Sequence, residues 1–136
     1  MNNTLYITVG LPGSGKSTYV KNFIKDKEIE YLSSDELRAV YGKSEEDQSV
    51  TSFVFGHIKK KVDEFLKDDK NVLVDATSVN RKERSDYINT AKKYGAKVVA
   101  IVFITVLIST GFIYEFLIMV KMSVTGEIHT VTIIMR

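Results

Sequence analysis

Residues 10–17 read GLPGSGKS and fit the pattern G-x-x-x-x-G-K-[S/T] without a mismatch. The apolar residues 5–9 precede this stretch, and residues 18–25 follow it with apolar side chains at helical spacing. Glycines between a strand and a helix let backbone N–H groups point at a phosphate chain, and the helix N-terminus adds partial positive charge. The stretch therefore predicts a phosphate-binding loop. A plain turn would need neither the lysine nor the serine.

The residue types within the loop predict the contacts of a nucleoside triphosphate such as ATP. Lys16 would reach the β- and γ-phosphates, and the Ser17 hydroxyl would ligate Mg²⁺. The predicted nucleotide-binding residues are Gly13, Ser14, Gly15, Lys16, Ser17 and Thr18.

The size and composition are those of one ordinary domain. The chain has 136 residues and a formal net charge of +2, which neither favours nor excludes a nucleic-acid partner. It contains no cysteine, which excludes disulfides, thiolate metal sites and a cysteine nucleophile. The first residues lack the basic region of a signal peptide. We therefore expect a cytoplasmic protein.

Strand and helix patterns alternate along residues 1–103, which we take as the core of the unit that carries the phosphate-binding loop. This alternation predicts an α/β fold with a mostly parallel sheet flanked by helices, and ligands bind such sheets at the carboxyl ends of the strands. Strands are predicted at residues 5–9, 30–33, 72–75 and 97–103, and helices at 18–25, 35–41 and from about 80 to 93. A further long helix is predicted behind an N-cap box at residues 44–47, and residues 68–71 end it.

Asp35 and Arg38 follow the second predicted strand and lie three residues apart, so they share one face of a helix. A carboxylate there could accept a proton from an attacking hydroxyl, and the guanidinium could hold a phosphate with two hydrogen bonds. The alternative is structural: Asp35, or Ser34 before it, caps the helix and Arg38 is solvated. Spacing alone does not separate the two.

Asp75 ends the third predicted strand, at the edge where ligands bind. It could hold Mg²⁺ through water, as the second acid of a nucleotide site does. The alternative is a strand-end acid that caps the next turn.

Two further sets of side chains are assigned to structure rather than to chemistry. The basic residues of the helix after Asp75 are interpreted as a solvated face, with a basic rim for a polyanion as the alternative: Arg81, Lys82 and Arg84. Three aromatic residues at helical spacing are interpreted as core rather than as a surface for stacking bases: Phe53, Phe55 and Phe65.

Residues 104–136 differ from the rest because their only charged side chains are Glu115, Lys121, Glu127 and Arg136. Residues 98–114 carry no charge, but their first part is better used as a core strand than as part of a membrane span. Residues 121–135 alternate in places around a turn at 125–127, which predicts extra strands or a hairpin. We expect an apolar, β-rich tail, in the same domain or at an interface between copies of the chain.

Together these residues resemble the polynucleotide kinase-like P-loop kinases. The resemblance rests on residues 10–18, on Ser34 and Asp35 with Arg38, and on the stretch from Asp75 to Arg84. It implies that Lys16 and Ser17 serve ATP and its Mg²⁺. It further implies that Asp35 is the general base toward the acceptor hydroxyl and that Arg38 contacts the acceptor's phosphate.

The resemblance covers residues 5–103 and ends there, because the family continues into an arginine-rich lid helix that residues 104–136 do not match. The expected function is transfer of the γ-phosphate of ATP to a hydroxyl, the 5′ end of a polynucleotide. Two alternatives stay open: a kinase for a small metabolite or nucleoside, and a nucleotide-binding protein with weak turnover whose tail forms an oligomer.

Overall fold

A computed structural model of the protein describes residues 3–11, 15–76, 81–104 and 110–135. Strands and helices alternate in the predicted order through residue 104. The strands are β1 (Thr4–Val9), β2 (Ile29–Ser33), β3 (Asn71–Asp75), β4 (Lys97–Ile104) and β5 (Thr130–Met135). The helices are α1 (Lys16–Ile24), α2 (Ser34–Tyr41), α3 (Thr51–Lys67), α4 (Arg81–Lys93) and α5 (Thr110–Val124), with a 3₁₀ turn at Gln48–Val50 before α3.

The five strands form one sheet in the order β2-β3-β1-β4-β5, and every described pair of neighbours is parallel. The predicted α/β class with a mostly parallel sheet is therefore confirmed. Strand β1 lies between β3 and β4, so the chain turns to one side after β1 and crosses to the other side after β3. Open parallel sheets bind ligands at such a switch point, outside the carboxyl ends of the strands.

Helices cover both faces of the sheet because alternate strand residues point to opposite sides. On one face, residues such as Leu5 and Val74 pack in a core cluster with α3, α4 and α5. On the other face, Leu73 and Phe103 pack with Val20 of α1. The phosphate loop thus leaves the central strand between two packed layers.

Three helices end on a residue with positive φ, at Asp69, Gly95 and Gly126. In each case the next amide donates to a carbonyl five residues back, and the residue with positive φ donates to a carbonyl three residues back. This is the Schellman arrangement, which normally takes glycine. Asp69 is the exception among the three, because it adopts the positive φ without being a glycine. Helix α3 therefore ends without a glycine.

Helix α3 buries only part of its predicted apolar stripe. Val54, Ile58, Val62 and Leu66 are buried, at spacings of four residues. Phe55 and Phe65 pack against the core, as predicted. The assignment of Phe53 to the core is wrong: its side chain is 57% exposed, because it lies one residue before the buried row.

The tail departs from the β-rich expectation, because its described residues 110–135 begin with the 15-residue helix α5 and end in a single strand, β5. Strands β4 and β5 are parallel, and a parallel pair needs a crossover connection, usually a helix. The turn predicted at residues 125–127 ends α5 at Gly126 rather than joining two strands of a hairpin. Contact between copies through this segment stays a prediction.

None of the helices in the described ranges combines the length and apolar character that a membrane crossing needs.

Candidate active site

Gly15, in the described part of the predicted phosphate loop, has a backbone conformation that suits glycine. Gly15 has φ 80°, a left-handed conformation that favours glycine, and α1 begins immediately after it at Lys16. The Lys16 side chain is buried, whereas Thr18 in the first turn of α1 is exposed. Gly13 and Ser14 lie outside the described residues. The helix N-terminus therefore presents its first amides beside the end of β1.

Ser17 and Asp75, predicted as metal ligands from separate parts of the sequence, lie in contact. The Ser17 hydroxyl donates to Asp75 Oδ2 at 2.9 Å. Asp75 is 3% exposed, so this contact lies inside the protein. The Thr8 hydroxyl of β1 lies 3.5 Å from Asp75 Oδ1 and bonds both the carbonyl and the amide of Ala76. Strand β1 thus fixes the backbone that carries the carboxylate.

The two oxygens fit a magnesium site. Mg²⁺ prefers octahedral oxygen ligands at 2.0–2.1 Å, so two adjacent ligands are separated by about 2.9 Å. That separation matches the 2.9 Å between Ser17 Oγ and Asp75 Oδ2. A hydroxyl and a carboxylate are also hard oxygen donors, as this ion requires.

Tyr31 of β2 also contacts Asp75, and the sequence analysis did not identify it. Its hydroxyl donates a short hydrogen bond to Oδ2, the oxygen that Ser17 also contacts. Burial and the Asp75 carboxylate raise the pKa of Tyr31, so its hydroxyl stays protonated and donates at neutral pH. Tyr31 is therefore a positioning residue for the Asp75 carboxylate.

Asp35 and Arg38 lie together in the first two turns of α2, as their spacing predicts. Arg38 is 8% exposed and its guanidinium donates to the Asp35 carboxylate, while its Nε donates to the carbonyl of Glu45 at 2.9 Å. The helix cap is Ser33, whose hydroxyl accepts from the amide of Glu36. The structural alternative is wrong on both points, because neither Asp35 nor Ser34 is the cap and Arg38 is not solvated.

The Asp35 carboxylate is held from one side and open on the other. Its side chain is 48% exposed, whereas that of Arg38 is 10% exposed. A carboxylate fixed by a buried guanidinium and accessible to a ligand is the arrangement that a positioned proton acceptor requires.

The two carboxylate sites lie side by side at the carboxyl edge of the sheet. Ser33, the last residue of β2, is paired in register with Asp75, the last residue of β3. Neighbouring strands lie about 4.8 Å apart, and Asp35 follows Ser33 by two residues. The parallel sheet therefore brings Asp35 to the same edge as Ser17 and Asp75.

Gly42 supports this arrangement by letting the chain after α2 approach the helix closely. A Cβ atom at this position would lie 2.8 Å from the Arg38 carbonyl oxygen and 2.7 Å from Asp47 Oδ2. The same chain segment carries the Glu45 carbonyl that accepts from Arg38. Any larger residue would push this segment away from α2.

We expect Gly42→Ala to lower the free energy of unfolding by about 1–3 kcal/mol, the usual cost of overpacking. We also expect a fall in phosphoryl transfer, because the support of Arg38 and hence of Asp35 is loosened. Urea unfolding and a transfer assay measure the two effects. Gly56→Ala is the matched control, since a Cβ there meets nothing within 4 Å. Equal stability of the two variants would contradict the proposed close approach.

Arg84 is another residue that sequence reasoning misplaced. The charge pattern predicts a solvated helix face for Arg81, Lys82 and Arg84, and the first two are exposed. Arg84 is instead fully buried within α4, among the largest fully buried side chains of the described protein. Neither a solvated face nor a basic rim describes it.

A cavity of about 420 Å³ lies away from these residues, at the amino ends of β2 and β3. It is lined by residues 27–30 and 69–71. The candidate active site is at the opposite edge of the sheet, and this cavity is not part of it.

Comparisons with known proteins agree with the fold. A family model described as an AAA domain matches residues 5–107. No curated protein matches the chain. Two structures of a Pnkp1/Rnl/Hen1 complex, one of them described as an RNA repair complex, contain similar chains. The first is 30% identical with a TM-score of 0.65 and the second 27% identical with a TM-score of 0.64.

These matches cover 76% and 92% of this chain but only 36% and 39% of the chains in the complex. The protein therefore spans little more than a third of the length of those relatives. The APS kinase CysC of Mycobacterium tuberculosis shares the fold, with 21% identity, a TM-score of 0.52, and coverage of 74% of this chain and 75% of that one. The chain thus belongs to the AAA-domain family matched over residues 5–107 and is similar to the polynucleotide kinase-like P-loop kinases.

Proposed function

We propose that this kinase-type protein transfers the γ-phosphoryl group of ATP to the 5′-hydroxyl end of a polynucleotide. The observation that carries the proposal is the juxtaposition of two carboxylates at one sheet edge. Asp75 contacts the phosphate-loop serine, and Asp35 is half-exposed and held by the buried Arg38. Asp75 serves the nucleotide site, and Asp35 serves the acceptor site.

The nucleotide lies along the phosphate loop, with the first amides of α1 and the Lys16 ammonium beside its phosphates. Ser17 and Asp75 would hold Mg²⁺, because their oxygens lie 2.9 Å apart at the start of α1. When bound, the ion neutralises charge that develops on the phosphate oxygens.

Asp35 acts as the general base. It accepts the proton of the acceptor hydroxyl while the hydroxyl oxygen forms a bond to the γ-phosphorus. The bond from that phosphorus to the bridging oxygen breaks, and ADP leaves with the electron pair. Arg38 keeps the Asp35 carboxylate in place, and its charge favours an acceptor that carries a phosphate next to the hydroxyl.

The choice of a polynucleotide as acceptor is supported by the similarity to chains of an RNA repair complex, at 27–30% identity. The side chain of Asp35 is also half-exposed. An exposed acceptor site admits the end of a long chain, whereas a small metabolite is usually held in an enclosed pocket.

The proposal predicts that the protein transfers radiolabel from γ-labelled ATP to a single-stranded oligonucleotide that ends in a 5′-hydroxyl. Transfer should require Mg²⁺ and should stop when the 5′ end already carries a phosphate. The measurement is gel separation of labelled products. Oligonucleotides with 5′-hydroxyl and 5′-phosphate ends are the matched pair.

Two results would contradict the proposal in different ways. Transfer to a nucleoside or sugar but to no oligonucleotide would support a small-metabolite kinase. ATP binding without transfer to any hydroxyl would support the nucleotide-binding alternative with weak turnover.

A further inference from the structure

Three aromatic side chains form a surface cluster beyond Arg38, where α2 ends against the start of α3. The rings of Tyr41 and Phe53 meet edge to face, with centroids 5.0 Å apart and planes at 71°. The His57 ring lies 5.6 Å from that of Tyr41. Tyr41 is 46% and Phe53 57% exposed, so the cluster is open to solvent. We call these three residues the aromatic cluster.

The residues of the aromatic cluster that lie on α3 are not part of the buried row of that helix. The buried row of α3 runs through Val54 and Ile58, and Phe53 and His57 each lie one position before a member of that row. Val40, next to Tyr41, is 72% exposed and extends the apolar surface. Exposed aromatic residues that are packed against one another present ring faces at little cost in conformational entropy, which suits them for binding.

The position of Tyr41 connects the aromatic cluster to the proposed acceptor site. Asp35, Arg38 and Tyr41 follow one another at intervals of three residues on α2, so each is a neighbour of the next along a row that winds gradually around the helix. The contact between Asp35 and Arg38 demonstrates this spacing directly. At a rise of 1.5 Å per residue, Tyr41 lies about 9 Å along the helix axis from Asp35.

The distance fits a polynucleotide. Stacked nucleotides are spaced about 3.4 Å along a strand, so about 9 Å corresponds to two or three nucleotides. A strand whose 5′-hydroxyl is at Asp35 would pass Arg38 with its first phosphates and reach Tyr41 with its second or third base. Lys43 and Lys60 are exposed, two residues after Tyr41 and three after His57, where their ammonium groups can approach later phosphates.

We propose that the aromatic cluster of Tyr41, Phe53 and His57 is a stacking surface for an unpaired base of the acceptor strand, two or three nucleotides from the 5′-hydroxyl. This inference rests on the proposed function and adds that an unpaired strand of three or more nucleotides is bound more tightly than a shorter acceptor. Because every base has a π face, the surface selects for unpaired bases and not for sequence.

The test is binding of a fluorescent, single-stranded 5′-hydroxyl octanucleotide, measured by anisotropy with a non-hydrolysable ATP analogue present. Stacking on an aromatic side chain contributes about 1–3 kcal/mol per base, so Phe53→Ala and Tyr41→Ala should each weaken binding about 5- to 150-fold. Phe53→Trp should bind as well as the unaltered protein. Tyr114→Ala is the matched control, because Tyr114 is an aromatic residue of α5 that is 65% exposed.

A nucleoside 3′-phosphate is the second probe, because it reaches Asp35 and Arg38 but is too short to reach Tyr41. The proposal expects Phe53→Ala and Tyr41→Ala to phosphorylate this short acceptor at an unchanged rate. Thermal unfolding tests whether each variant is folded. We expect both to be folded, because substitutions at exposed positions usually change stability little.

Equal octanucleotide affinity of Phe53→Ala, Tyr41→Ala and the unaltered protein would overturn the stacking surface and leave the proposed function intact. Failure of the unaltered protein to bind the octanucleotide would overturn it as well. A solution mass above the monomer that falls to the monomer in Phe53→Ala would instead assign the aromatic cluster to a protein interface. Loss of transfer to every hydroxyl, with binding retained, would count against the proposed function and not against the stacking surface.

Discussion

Asp35→Asn should lower phosphoryl transfer about 10²- to 10⁴-fold and leave ATP affinity nearly unchanged. The amide keeps the size of the carboxylate but cannot accept the proton of the acceptor hydroxyl. Arg38 would remain supported by the Glu45 carbonyl and by Ser34, so the helix should keep its shape. Single-turnover transfer to a 5′-hydroxyl oligonucleotide measures the first effect, and binding of a fluorescent ATP analogue measures the second.

Glu36→Gln is the matched control for this variant. Glu36 is the next residue of α2, and its side chain is 51% exposed and pairs with Lys21 at 3.3 Å. Loss of that exposed ion pair should change stability by less than about 1 kcal/mol and leave transfer unaltered. If Asp35→Asn retains both transfer and ATP affinity, Asp35 is not the base.

The sequence predicts most of the elements because each one has a local signal. The apolar runs of β1, β3 and β4 and the phosphate-loop pattern need no tertiary information. The relative positions of two residues within one helix can also be predicted from their spacing. The interval of three residues therefore places Asp35 and Arg38 on one face. The pairing of Ser17 with Asp75 follows from the parallel sheet, whose strand ends meet at one edge.

Interactions that depend on register or burial could not be predicted in the same way. Tyr31 reaches Asp75 because β2 pairs with β3 so that Ser33 lies beside Asp75, and nothing local fixes that register. The sequence predicts a surface position for Arg84, because charged side chains are seldom fully buried. Arg84 is buried because of the way α4 packs in the protein, and the local sequence pattern does not predict that packing.

The sequence pattern does not indicate helix α5, because its apolar residues do not mark one face. Met119 and Met122 are buried, whereas Ile113, Leu117 and Val120 are exposed, so apolar side chains occur on both sides. Such a segment has no clear helical period, and a short apolar run is ambiguous between strand and helix. The requirement that decides between them is tertiary, since β5 pairs with β4 in parallel and needs a crossover.

Asp75→Asn should lower transfer about 100-fold or more and raise the Mg²⁺ concentration needed for half-maximal transfer. The substitution isolates charge from packing, because the Ser17 and Tyr31 hydroxyls both donate to the one oxygen Oδ2. An amide oxygen can occupy that place and accept from both, so the fold should be retained. Steady-state transfer over a Mg²⁺ titration measures the effect.

Tyr31→Phe is the control variant, because it removes one donor and keeps the charge of Asp75. We expect transfer to fall less than about tenfold, since one hydrogen bond contributes about 1 kcal/mol. If Asp75→Asn keeps the Mg²⁺ dependence of the unaltered protein, Asp75 is a structural acceptor for the two hydroxyls and the metal has other ligands.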